Sequence, residues 1–140
     1  MALPEIIDAA DWSGGDAAKD KRWVYHLTPV EIDALRKMAS QIRPALDGDA
    51  NRLLTLEQDT FDLGDFAPKL AKIYTGLKSG HGMALVKGLP MFQLDPLDVA
   101  TIYWGIGRHL GQATPNNPEG DMFGHITDLG KTQTLSLIHI

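Results

Sequence analysis

Three residues near the end of this 140-residue chain, His125, Asp128 and His139, are of the types that hold a redox-active metal. Two imidazoles and one carboxylate on one face of an iron leave positions open for oxygen and a co-substrate. The spacing argues against that use. His125 and Asp128 lie in "FGHITDLG", which reads as a strand running into a turn. Side chains alternate along a strand, so residues three apart point to opposite faces, whereas an offset of two would share one. A turn starting at Thr127 would weaken the parity argument without favouring chelation. His125 therefore reads as a half-buried histidine bonded to backbone or to a downstream loop. No His-x-Asp or His-x-Glu pair occurs anywhere in the sequence.

The other histidines suggest structure rather than chemistry. His109 comes late in a predicted helix, where a cation suits the negative end of the dipole. His26 and His81 fall at a helix entrance and in a Gly-rich turn, where solvated or capping roles are expected. Trp12, Trp23 and Tyr25 could line a ligand site, but they read better as anchors for an N-terminal arm. "SGHG" and "GIG" lack phosphate-loop spacing and the Lys-Ser/Thr pair that completes it. No Ser-His-Asp or paired-carboxylate constellation can be argued from spacing. One loop remains. "TPNNPEGD" sets Asn116 and Asn117 between prolines, a stiff polar loop able to present hydrogen-bonding groups to a ligand. Plain turn chemistry explains the same composition. Asn116 and Asn117 are the candidate substrate contacts, and no catalytic or metal-binding residue is assigned.

These residues need elements to hold them. Residues 1–22 read as a flexible arm, since "WSGGDAAKDK" is polar and Gly-rich. "YHLTPVEIDALRKMASQI" carries a helix start: Thr28 as N-cap, Pro29 at the first helical position and Glu31 completing a capping box. Leu35, Met38, Ala39 and Ile42 then face a core, and Pro44 and Gly48 close the segment. "DGDANRLLTLEQDTFDLGD" is an acidic connector. A second helix fits "DFAPKLAKIYTGLKSG", with Phe66, Leu70, Ile73 and Leu77 in one stripe and Gly80 ending it. "GMALVKGLP" reads as a buried strand. A third helix opens at Asp95 and Pro96, with Asp98 in its first turn. Val99, Ile102, Tyr103, Ile106 and Leu110 form its apolar face, and Gly111 stops it. Gly105 and Gly107 weaken its last turns or permit close packing on a sheet. The order helix, helix, strand, helix, strand makes an α+β chain with a helical apron and no complete sheet.

Composition limits the functions available. Hydrophobic residues are 44% and charged residues 22%, which suits a globular core. The net charge is -5, and the Lys and Arg are scattered, so nucleic-acid binding is not expected. The chain has no cysteine, which excludes disulfides, thiolate metal sites and a cysteine nucleophile, and fits a reducing compartment. The acidic N-terminus lacks the layout of a secretory signal, and no apolar run approaches the roughly 18 residues of a membrane span. A cytoplasmic protein without membrane contact is expected.

The order of motifs carries a resemblance. "GHGMALVKGLP" resembles a G-x-G-x-x-x-x-x-G-L-P segment of the taurine dioxygenase-like (TauD/TfdA type) family of Fe(II)- and 2-oxoglutarate-dependent oxygenases. "YWGIGRHLGQATPNNPEGDMFGHITDLG" is similar to the next segment in that family: a helix ending in G-R-H-L-G, an Asn-bearing loop, then G-H-x-x-D-x-G. The similarity runs over roughly residues 23–131. It implies a double-stranded β-helix, or jelly roll, with helices packed outside it. It also implies oxidation of a small organic substrate coupled to decarboxylation of 2-oxoglutarate.

In the family a His-x-Asp/Glu pair and a distant histidine hold iron, and a late arginine grips the co-substrate. None of these can be placed here. His125 and Asp128 match a segment that precedes the iron pair, and Arg108 and His109 match the front helix. The expected fold is thus α+β, a helical N-terminal part plus the first strands of an incomplete jelly roll over 23–134. Fe(II) and 2-oxoglutarate belong to the full-length parent, and no cofactor is expected for this fragment. "LSLIHI" at 135–140 resembles the translation of a transposase-end sequencing adapter (CTG TCT CTT ATA CAC ATC), the alternative being a native apolar strand. The alternative to an inactive oxygenase fragment is a complete, small, non-enzymatic α+β binding or assembly module. A third reading keeps His125, Asp128 and His139 as an iron site.

Overall fold

The computed structural model describes residues 7–115 and 118–124. Its elements run α1 (Gly14–Lys19), β1 (Val24–His26), α2 (Pro29–Leu46), α3 (Ala67–Ser79), β2 (Leu85–Lys87) and α4 (Pro96–Leu110). Short 3-10 turns at Ala50–Thr55, Gln58–Thr60, Gly64–Phe66 and Met91–Gln93 join them. The arrangement is mixed α and β, with helices dominant.

The stretch read as a loose arm contains α1. Ser13 Oγ accepts from the Asp16 N–H at 3.3 Å, and Asp16 Oδ2 accepts from the Ser13 N–H at 3.0 Å. This is a capping box with aspartate in the place of glutamate, and Gly14 and Gly15 disguise it by their poor helix propensity. The expected box at α2 is present: Thr28 Oγ1 accepts from the Glu31 N–H at 3.4 Å, and Glu31 Oε2 from the Thr28 N–H at 2.8 Å. Leu35, Met38, Ala39, Ile42 and Leu46 are buried along α2. Pro44 does not end this helix, contrary to the sequence reading. Its missing donor falls opposite exposed Ser40, whose carbonyl water can satisfy. The stop comes from Asp47 and Gly48, at φ 49° and 79°, with the Asp49 N–H donating to Leu46 O at 2.9 Å.

In α3 the expected stripe holds: Phe66, Leu70 and Ile73 are buried, and Leu77 packs against the core. The core joins these residues to α2, to Leu53, Phe61 and Leu63 from the 3-10 turns and their flanks, and to Ala100, Ile102 and Trp104 of α4. At Gly105, α4 comes so close to its neighbours that an added Cβ would stand 2.8 Å from Phe61 Cδ1 and 3.0 Å from Met38 Cε. The close packing foreseen for this glycine is thus against α2 and a 3-10 turn, not against a sheet.

β1 and β2 pair in parallel, Val24 with Leu85, Tyr25 with Val86 and His26 with Lys87. The Leu85 N–H donates to Trp23 O at 2.9 Å and the Leu27 N–H to Lys87 O at 2.8 Å. Parallel strands need a long crossover, and α2 and α3 lie within it. Two sequence expectations change here. β2 is a strand, but it is exposed along its length rather than buried, because β1 is its only partner among the described residues. Tyr103, placed on the core face of α4, is 70% exposed. Ile102 is buried and Ile106 and Leu110 pack against the core as expected, but the buried face also takes in Ala100, Thr101, Trp104 and Gly105, shifted because the small residues at 100 and 105 let α4 approach α2.

Two glycine substitutions should move stability in opposite directions. Gly105→Val overpacks the α2–α4 crossing and should cost about 1–3 kcal/mol in chemical denaturation. Gly107→Ala meets nothing within 4 Å and should stabilise by up to about 1 kcal/mol through helix propensity. Equal effects at the two positions would contradict this packing.

Candidate functional site

Polar groups first tie the N-terminal segment to the body. Trp12 Nε1 donates to His81 O at 2.8 Å, and His81 Nε2 lies 3.0 Å from Asp20 Oδ2. Arg22 takes Asp20 as well, with Nη2 to Oδ2 at 2.6 Å and Nε to Oδ1 at 3.0 Å. Side-chain and backbone hydrogen bonds from Arg22, aided by His81, hold the Asp20 carboxyl far below the ordinary aspartate range. Both carboxylate oxygens are engaged, so this His–Asp pair is a clamp rather than a free base. Trp12 is the anchor expected of it. Trp23 instead donates to Ala17 O at 3.1 Å, within the N-terminal segment.

A second clamp joins α3 to the start of α2. Lys69 Nζ reaches Glu31 Oε2 at 2.5 Å and also donates to the carbonyl of His26. Burial alone would push Glu31 up. The hydrogen bonds from Lys69 and Thr28 outweigh it and hold the carboxyl below its ordinary value. Arg43 then bridges α2 to the N-terminus of α4, 2.8 Å from Asp98 and 3.3 Å from Asp95.

His109 has a structural post. Its Nε2 lies 2.7 Å from Phe61 O, so that nitrogen carries the proton and donates, while Nδ1 faces the Gln58 amide at 3.3 Å. These contacts fix the 3-10 turns against α4, a role the dipole argument did not foresee. His26 is exposed.

Asn116, Asn117, His125, Asp128 and His139 lie outside the described residues. Among the described residues no three His, Asp or Glu side chains converge in a way that could hold a metal ion. The donors present there do not fit an iron site, and no step through iron is assigned to them.

The described residues do build an open apolar cleft of about 780 Å³ between β2, the Leu89–Leu94 stretch and the outward face of α4. Val86, Leu94, Val99, Tyr103, Ile106 and Phe123 are among its walls. Phe123 stands edge-on to Tyr103 and Trp104, with ring centroids 5.8 Å and 6.1 Å apart. Here α4 is apolar on two sides, one buried in the core and one facing this cleft. A helix apolar all round is normally buried all round. That signal was present in "VATIYWGI", but it does not say which side stays open. Its described lining offers apolar surface for contact.

The Glu31 clamp gives a pH-dependent expectation. A depressed carboxyl stabilises the fold above the ordinary glutamate value near 4.5 and loses that contribution as pH falls through the lower folded value. Glu31→Gln should therefore lower the Tm at neutral pH. It should also lose less further stability than the wild type between about pH 5 and pH 3. Parallel pH profiles for the two proteins would contradict the clamp.

Compared with known proteins, the chain matches no family model and no curated protein. No helix of the described residues is long and apolar enough to cross a membrane.

Proposed function

We propose that this chain is the N-terminal part of a TauD/TfdA-type Fe(II)- and 2-oxoglutarate-dependent oxygenase. It supplies the helical layer on which the catalytic jelly roll packs. The observation that carries this reading is the open apolar cleft along α4 and β2. Val86 is 40% exposed and Tyr103 70% exposed, beside a strand whose outer edge has no partner among the described residues. Open strand edges and apolar faces of this kind call for cover. Further strands of the same polypeptide would extend the sheet from β2 and lie on the cleft. The motif order over residues 23–131 supports the same family.

In this reading iron and 2-oxoglutarate are held by residues C-terminal to this segment, where a His-x-Asp/Glu pair, a second histidine and an arginine belong. The parent oxidises a small organic substrate, with Asn116 and Asn117 as its candidate contacts in this segment. The absence of cysteine suits the reducing cytoplasm, where we place the protein. A second reading, a non-enzymatic binding or assembly module, draws on one observation: the core around α2 closes without a large sheet.

The test is to read the gene past codon 131 and assay the encoded protein. A continuing frame with the missing ligands, and Fe(II)-dependent conversion of 2-oxoglutarate to succinate that the 140-residue chain lacks, is the expected result. A downstream frame without those ligands, together with sharp monomeric unfolding of the 140-residue chain, would overturn it in favour of the second reading.

A further inference from the structure

A second cleft, of about 600 Å³, adjoins the first at the C-terminal end of α4. Its walls include Val86, Tyr103, Trp104, Ile106, Arg108 and Met122. Among the described residues no acidic side chain lines it, and the one formal charge there is Arg108. The chain as a whole carries -5. The clefts elsewhere that are lined by Asp59 and Asp62, or by Asp33, Asp62 and Asp65, have the opposite character.

Arg108 stands apart from the other arginines. Arg22, Arg43 and Arg52 are each paired with aspartate, and Arg36, whose Nε is likewise buried without an acceptor, still reaches Gln93 through Nη2 at 3.4 Å. Arg108 makes no hydrogen bond or ion pair to another described residue, and its Nε is buried without an acceptor. One helical turn earlier, Trp104 is only 7% exposed, and its indole N–H is also buried without an acceptor. Residues four apart share a helix face, and Trp104 and Arg108 both line this cleft. A buried charged donor without an acceptor is costly, which makes this wall a place where an acceptor is missing. The negative end of the α4 dipole opposes an anion here. Its roughly half a charge is outweighed by the full charge of the guanidinium.

We propose that this cleft binds a small amphiphilic carboxylate, its anionic end on Arg108 beside Trp104 and its apolar body against Val86, Tyr103, Ile106 and Met122. A planar guanidinium matches a carboxylate in geometry and charge, and the apolar walls suit a hydrocarbon or aromatic body. The site shares Val86, Tyr103 and Ile106 with the face assigned above to further strands; the inference concerns the 140-residue chain with that face open and does not rest on the assignment.

The test is an NMR titration of the 140-residue chain with phenylacetate, following the tryptophan indole N–H resonances, with Trp104→Phe to assign one of the three. Phenylacetate should shift the Trp104 resonance saturably. The Trp12 and Trp23 resonances, held by the His81 and Ala17 carbonyls, should stay in place. Neutral phenylacetamide, and phenylacetate with Arg108→Gln, should each bind about ten-fold or more weakly. No saturable shift, or equal affinity for acid and amide, would overturn the proposal. The acid–amide comparison in the unaltered chain decides the matter even if Arg108→Gln does not fold.

Discussion

The crossing of α2 and α4 at Gly105 sets the geometry on which the rest of the molecule depends. With no side chain at that position, Phe61 and Met38 fill the space and the two helices close on each other. Trp104 and Thr101 are thereby turned inward, Thr101 Oγ1 donating to Leu97 O at 2.7 Å within the helix. The same rotation turns Val99 and Tyr103 toward the cleft beside β2, while Ile106 and Phe123 line that cleft and also pack against the core. One contact therefore decides both what is buried and what apolar surface remains to be covered.

Charged groups act on this frame as fasteners. The Asp20–Arg22–His81 set holds the N-terminal segment, Glu31–Lys69 joins α3 to the entrance of α2, and Arg43 joins the end of α2 to the start of α4. Each commits its acidic partner to structure, which leaves these carboxylates poorly placed for catalysis. Arg108 is the contrast: a cation in a cleft that no acidic side chain lines among the described residues.

Legibility in the sequence tracked how local the determining physics is. The Thr28–Glu31 capping box and the Phe66–Ile73 stripe are written within a turn or two, and both appear where expected. β1 was missed because a three-residue strand has no period to detect and exists through its pairing with β2, some 60 positions away. The burial of β2 and the orientation of α4 were misjudged for a related reason. Apolar residues mark what needs cover, while the identity of the cover depends on distant segments. The open cleft was legible only as excess apolarity on α4. Asn116 and Asn117, chosen for their loop chemistry, lie outside the described residues, so their expected role rests on the proposal alone.

The central proposal is that the outward face of α4 becomes an internal surface in a longer polypeptide. The chain lacks cysteine, so Tyr103→Cys creates a unique thiol on that face. Its labelling rate should be that of an open thiol in the 140-residue chain, and about ten-fold or more slower in the longer protein read from the same gene. Equal rates in the two proteins would contradict the account.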